Sequence, residues 1–568
     1  MYKQVLDPVS NSLALSAIFA AIPLLVLFVL LGVLRVTAWV AALVALAVAI
    51  GVAVFVYPMP VDQALLAGSE GAVFGFFPIL WIVINAIWIY NMTVVTGHFD
   101  VLRRSFGKIS DDQRIQAVII AFCFGALLEA LAGFGTPVAI SSVMLIALGF
   151  RPIKAATVAL VANTAPVAFG ALAVPITTLA PIAGLPEQDL ASMIGRQTPL
   201  LGMFVPMALV FIVDGARGVR ATLPATLTCG FVFALMQFLT SNYISIPLTD
   251  IVASLAGAAS IVLLLRFWQP SESYVETSGS DDEAEARAER RRSRVGGDDA
   301  EARHAQEAAL RVASSDDTDR HDPPAEVFRA YAPYLIIIAV FVVTQLPGIL
   351  DALESTIKLF NWPGLHVTNP SGDPLSSLEF KFNWLPAAGT LLVISGLITI
   401  PVIGISPVQA FKTWLATYVQ LATAIVTVMA VLALAYVMND SGQTGTLGNW
   451  MAGAGGAFAF ISPVLGWLGV AVTGSDTSSN SLFGALQVSA AHQVGLSPTL
   501  MAAANSSGGV LGKMISPQNL AIAAAAVGMS GREGDLFRKV LGWSIGFLVF
   551  MALLVYLQST SVLSWMVP

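Results

Sequence analysis

Apolar residues fill this chain in long blocks, and polar positions are confined to short connections and a few places inside the blocks. Runs of roughly 18 to 28 apolar residues recur almost end to end, each long enough to cross a hydrocarbon core ~30 Å thick as a helix. The pattern predicts spans near 11–34, 36–57, 70–97, 155–175, 196–213, 221–240, 251–268, 329–350, 384–403, 408–438, 499–526 and 538–560. Two further stretches, 115–149 and 450–494, are interrupted midway by Gly133–Pro137 and Gly474–Asn480. Each reads as a re-entrant hairpin, although two short spans apiece also fit. The expected fold is an all-α polytopic membrane protein of about 12 transmembrane helices plus two re-entrant hairpins.

The composition agrees. Of 568 residues, 56% are hydrophobic and 11% charged, which excludes an ordinary soluble protein. A net charge of −7, with no basic patch interleaved with aromatics, argues against nucleic acid as a partner. Cys123 and Cys229 sit inside apolar blocks as core residues and say nothing about redox compartment. The first block, from about Leu13 to Leu34, is long for a signal peptide and lacks a clear cleavage site, so it is expected to remain as a membrane helix.

Charge orients the helices, because Lys and Arg accumulate in cytoplasmic loops. Arg35, then Arg103, Arg104, Lys108 and Arg114, then Arg217 and Arg220, Arg266, and finally Arg532, Arg538 and Lys539 mark that side. The connections 57–69, 176–195, 241–250 and 439–449 are nearly free of such residues and read as outside, as does the Trp/Pro/Asn-rich stretch 351–383. The hydrophilic stretch 270–327 reads as a cytoplasmic linker, disordered or partly helical around Asp282–Arg311. The resulting organisation is an N-terminal helix (1–35), a repeat half (36–180), connecting helices (181–269), the linker, a helix with an external loop (328–383), a second half (384–530) and a C-terminal helix (531–568).

The two halves say nearly the same thing twice. Asn163-Thr164-Ala165-Pro166-Val167-Ala168-Phe169-Gly170 with Pro175, and Asn505-Ser506-Ser507-Gly508-Gly509-Val510-Leu511-Gly512 with Pro517, share the spacing Asn-x6-Gly-x4-Pro. Upstream, Gly133-Phe134-Gly135-Thr136 answers Gly474-Ser475-Asp476-Thr477, and Asn91-x4-Thr96-Gly97 answers Asn439-x4-Thr444-Gly445. The loop 57–69 is outside and its counterpart near 404–412, with Lys412, is inside, so the halves are inverted. Repeated, broken hydrophobic segments at matching positions mark a secondary transporter and its binding site.

Backbone that is not helical at membrane depth leaves amides and carbonyls unpaired, at several kcal/mol each, unless it lines a cavity or binds something. Half-helix N-termini with Ser, Thr and Asn side chains suit a small carboxylate that carries a second polar group. The candidate substrate-binding residues are Thr136, Asn163, Thr164, Ser475, Thr477, Ser478, Asn505, Ser506, Ser507 and Lys513; Gly133, Gly135, Gly474, Gly508 and Gly509 are expected to permit the breaks. Ionisable groups inside apolar segments are functional candidates by default. Burial penalises a charged carboxylate, so Asp476 first and Glu129 second are candidates to carry a coupling proton. Lys513 can hold a substrate carboxylate or pair with Asp476. The plainer alternatives are that Asp476 caps a helix, Glu129 pairs with a lysine, Lys513 snorkels, and the asparagines cap broken helices. His98 and His492 lie near segment ends as structural or solvated residues. No metal site and no cofactor are expected.

At the stretches Gly133–Ile140, Asn163–Gly170, Gly474–Ser478 and Gly512–Gln518 the chain resembles the L-lactate permease family, which includes glycolate permeases. Weaker resemblance runs through Val213–Gly215 and Thr240–Ile244, and it covers the chain apart from 270–327 and 351–383. The resemblance implies proton-coupled uptake of L-lactate, with D-lactate and glycolate as further substrates, across the plasma (inner) membrane, and kinship with inverted-repeat carriers bearing opposed hairpins. Asp476, Lys513, Asn163 and Asn505 fall on matching stretches, but their roles rest on the physical reading. The resulting expectation is an electroneutral symporter of one proton with one 2-hydroxymonocarboxylate. Rivals are a sodium-coupled carboxylate carrier, since polar tips bind cations too, and a membrane-embedded hydrolase. The hydrolase needs a nucleophile beside a positioned base, and no Ser/His or paired-Asp arrangement accompanies the tips. The sequence leaves oligomeric state open.

Overall fold

A computed structural model describes residues 2–34, 36–107, 109–133, 135–275, 322–344, 346, 348–372, 375, 379–529 and 532–568. Residues 276–321 of the expected 270–327 linker, including Asp282–Arg311, lie outside them. The protein is predominantly helical. Among the described residues, nine helices are long and apolar enough to cross a membrane, or ten when the bent pair Pro152–Ala162 and Val167–Ala183 is taken as one span.

This differs from the expected twelve for identifiable reasons. Residues Glu187–Ile244 count as one helical stretch, but Val205–Leu239 is two helices joined across a kink at Gly215 (φ +64°), which falls between the expected spans 196–213 and 221–240. Thr249–Leu264 and Ala388–Ile403 are apolar but only 16 residues long. The expected 408–438 span is two helices, an amphipathic Pro407–Gln420 and an apolar Ala422–Ser441, divided at Leu421. Strands also occur in a chain expected to be all-α. Lys358–Asn361 pairs antiparallel with Glu379–Phe382, and Tyr2–Lys3 pairs parallel with Val367–Thr368.

Loops grouped by charge in the sequence are grouped in space. Arg104 binds Asp322, Arg114 binds Asp112 and Asp214, and Arg217 binds Glu272, which ties both ends of the linker to the basic loops. Among the Lys-poor connections, the Tyr2 hydroxyl donates to the carbonyls of Tyr57 and Ser441, and Gln63 donates to the carbonyl of Gly364. Gln188 donates to the carbonyl of Ser241.

Residues 36–180 and 384–530 show a common order of elements. Long helices precede a short amphipathic or polar helix (His98–Gly107; Gln443–Met451), then a helical hairpin, then a broken helix. The first hairpin runs in through residues 113–132 and back through Thr136–Ala147, with the Ser141 hydroxyl against the Ile120 carbonyl. Its ingoing arm, apolar throughout Ala117–Phe124, is wholly buried inside the protein rather than on its outer surface. The second hairpin joins Phe458–Thr473 to Asp476–Val494, with Gln487 donating to the Ser462 carbonyl. One sequence match does not carry over: the first half turns left-handed at Gly97, the second at Gly442 rather than Gly445.

Candidate functional site

Both hairpin tips are built around glycine in left-handed backbone, where a side chain costs about 1–2 kcal/mol. In the first, the helix ending at Ala132 resumes at Thr136 after Gly135 at φ +80°. In the second, Gly474 at φ +75° ends one helix, and the Ser475 hydroxyl caps the next by accepting from the Ser478 amide. Ser475 is thus an N-cap.

The broken helices follow. In the second half Pro498–Gly512 gives way to a single tight turn at Lys513–Ile515 before Pro517–Ala526 begins behind a Ser516 cap. In the first half the helix stops at Asn163, and Ala171, Leu172 and Ala173 form a left-handed turn ahead of Pro175. Counted from Asn163 and Asn505, these two turns occupy the same place, so the spacing motif located the interruption. Gly508 and Gly509, expected to be part of it, lie instead inside the continuous helix Pro498–Gly512. Their role is close packing. A Cβ at Gly508 would collide with the Pro463 carbonyl, and one at Gly509 with the Asp476 carboxylate.

The charges meet between the halves. Lys513 Nζ donates to Glu129 Oε1 at 2.5 Å, and Asn163 Nδ2 donates to Glu129 Oε2 at 2.9 Å. Glu129 is 3% exposed and Lys513 7%, so both charges are removed from solvent and compensate each other. A Cβ at Gly170 would press on the Glu129 carboxylate, so this glycine leaves it room. Lys513 is therefore bonded to Glu129, not to Asp476 as one sequence reading had it, although its charge still acts on Asp476.

Asp476 is also buried, at the N-terminus of its helix. Its Oδ2 accepts from the Ser506 hydroxyl at 2.5 Å and from Asn480 Nδ2 at 3.4 Å, while Oδ1 has no hydrogen-bond partner among the described residues. Asn505 donates to Asn480 Oδ1 and accepts from Gln487. Asn480 also donates to the Pro175 carbonyl beyond the break of the other half. One polar layer thus joins Asp476, Asn480, Ser506 and Asn505 to the first broken helix.

Other candidates stand apart. The Thr164 hydroxyl is committed to the Val161 carbonyl, and Ser507 to Gln197, which in turn bonds Gln558. Thr136 and Thr477 are half-buried near the tips, and Ser478 is buried behind Ser475. The sequence reading missed Asn480, Gln487, Gln197, Gln237 and Asp250. Glutamines inside apolar blocks, such as Gln237 between Met236 and Phe238, were the available signal.

A multi-helix apolar bundle with glycine-tipped hairpins, broken helices and buried charge between them is a multi-pass membrane protein. The chain belongs to the L-lactate permease family, whose pattern it matches across residues 16–562. It is 39% identical to the L-lactate permease of Bacillus subtilis (strain 168), with all of both chains covered. It is 41% identical to the glycolate permease GlcA of Escherichia coli (strain K12), over 97% of this chain and 96% of that one. Among solved structures, Neisseria gonorrhoeae MtrF is similar over 88% of this chain and 83% of its own, with 13% identity and a TM-score of 0.45.

Proposed function

We propose that this protein is a plasma-membrane symporter that carries lactate or glycolate together with a proton. The observation that carries the reading is the buried Lys513–Glu129 pair, which bridges the first hairpin and the second broken helix. A substrate carboxylate entering this centre competes with Glu129 for the Lys513 ammonium. Glu129 can release Lys513 inside an apolar bundle only by taking a proton, because an uncompensated buried carboxylate costs several kcal/mol. One bound anion then requires one bound proton, and the loaded centre carries no extra charge. Asp476, held by Ser506 and Asn480, is the second candidate carrier; in this reading Asn505 and the tip hydroxyls exchange their present partners for the substrate hydroxyl. In this reading the halves are inverted repeats across the membrane, with the 270–327 linker on the cytoplasmic side. The names of the lactate and glycolate permeases to which the chain is similar support the substrate class.

The test is uptake of labelled L-lactate and glycolate into proteoliposomes under an inward proton gradient without sodium. Concentrative uptake that collapses with a protonophore is expected. Uptake that requires a sodium gradient would keep the carboxylate site and overturn the proton.

A further inference from the structure

A second buried carboxylate stands behind the charged centre. Asp250 opens the helix Thr249–Leu264 and is fully buried, just past the half-exposed Ser245–Pro247 at one end of the protein. Gln237 Nε2 donates to Asp250 Oδ1 at 2.9 Å and to the Ala165 carbonyl at 3.3 Å. Ala165 lies in the interruption of the first broken helix, two residues from Asn163, which donates to Glu129. The same irregular turn is therefore tied at Asn163 to Glu129 and at Ala165, through Gln237, to Asp250. The Thr249–Leu264 helix packs on the hairpin helix that carries Glu129, and the charge of Glu129 acts on Asp250.

Unpaired oxygens surround this connection. Asp250 Oδ2, Gln237 Oε1, Thr240 Oγ1 and Asn163 Oδ1 have no hydrogen-bond partner among the described residues, and each side chain is at most 5% exposed. Buried polar atoms are ordinarily satisfied, so a group of unsatisfied acceptors marks a place where a proton or water belongs. Charge counting points the same way. Lys513 compensates Glu129, and a second carboxylate beside it is disfavoured as an anion both by desolvation and by its like-charged neighbour. Among the described residues, the titratable groups on elements packed against the Asp250 helix are Glu129, the exposed Tyr243 of the Thr240–Ile244 turn and, further along beside Gly257, the Cys123 and Cys229 thiols. The charged residues of the helix bearing Gln237, namely Asp214, Arg217 and Arg220, lie toward its other end.

We propose that Asp250 is the proton-loading carboxylate of the transport centre, holding a proton on Oδ2 while Glu129 is paired with Lys513. The inference rests on the proton-symport reading above. When a substrate carboxylate takes Lys513, the proton leaves Asp250 and ends on Glu129 by way of Gln237 and the Asn163–Ala165 turn. In the same step Asp250 takes a proton from the adjacent Ser245–Pro247 side, so that no buried carboxylate is left uncompensated. No charge is created or lost in the exchange.

The experiment uses the full chain in proteoliposomes, comparing wild type with Asp250→Asn and Asp250→Glu. Two rates are read with L-lactate: accumulation under an inward proton gradient, and counterflow exchange at equal pH on both sides. Removing an intramembrane proton carrier should lower accumulation by about tenfold or more while counterflow stays within about twofold, and Asp250→Glu should restore accumulation. Accumulation by Asp250→Asn equal to wild type would overturn the proposal. So would equal loss of both rates in a variant that purifies monodisperse with wild-type thermal stability, which marks a structural role. Gln237→Ala is a second variant, expected to shift the pH dependence of accumulation without abolishing counterflow; an unchanged profile overturns the route through Gln237. Failure of wild type itself to accumulate lactate under the proton gradient identifies the symport reading as the part that failed, and the proposal falls with it.

Discussion

Lys513 and Glu129, 384 residues apart, form a buried ion pair in which the ammonium donates to Oε1 while Asn163 holds Oε2. The pair fastens the first hairpin to the second broken helix, so whatever separates these two residues also loosens the contact between the halves. That makes it a suitable place for a coupling event, and the following outcomes are expected.

Lys513→Ala leaves Glu129 buried without its cation, which should cost about 3–5 kcal/mol of stability at pH 7 and abolish transport. Glu129→Leu combined with Lys513→Met replaces the pair by apolar groups and should recover most of the stability but none of the transport. Thermal unfolding of the purified variants in detergent checks the first statement, and liposome uptake the second.

Glu129→Gln and Asp476→Asn separate the two candidate carriers. Glu129→Gln should eliminate proton-driven accumulation, with substrate exchange continuing at a reduced rate. Asp476→Asn retains hydrogen bonding to Asn480 and Ser506 and should reduce both activities together through the substrate site. The opposite pattern, with accumulation lost in Asp476→Asn alone, would transfer the proton to Asp476.

Gly508→Val introduces a side chain where a Cβ already collides with the Pro463 carbonyl. Overpacking of this kind should destabilise the protein by about 1–3 kcal/mol, visible as a lower melting temperature. Gly456→Ala, where a Cβ meets open space, is the matched control and should melt as wild type does.

His98 tests whether the pH profile of transport belongs to the buried carboxylates. Burial, reinforced by the nearby Arg329, lowers its pKa from the usual histidine value, while Glu326 opposes the shift. Its neutral form is therefore the one favoured by folding, and any stability it contributes is lost as the pH falls below the ordinary histidine range. His98→Gln should accordingly leave the pH dependence of lactate uptake unchanged. A displaced profile in His98→Gln would bring the histidine into the coupling.

Hydrophobic block length was enough to show helices and a membrane, because crossing a hydrocarbon layer demands long apolar segments whatever they pack against. Repeated spacing located the breaks, since Gly133, Gly135, Gly474 and the Asn-x6-Gly-x4-Pro stretches all fall at or beside them. Gly508 and Gly509 show the limit of that reading: glycine in sequence signals either a turn or a close approach, and only the neighbouring helix says which. Lys513 shows it again. The chain identified it as a buried cation but offered Asp476, 37 positions away, as its partner. Its bond to Glu129 depends on how two segments 384 residues apart dock. Asp250, taken from the sequence as part of an external loop, became a buried group only when Gln237 and the broken first-half helix closed around it. Sequence determined which segments enter the membrane and where they break, because those follow from local polarity and backbone freedom. Tertiary structure alone decided which charges meet, because a charge taken out of water is stable only beside the partner that packing brings to it.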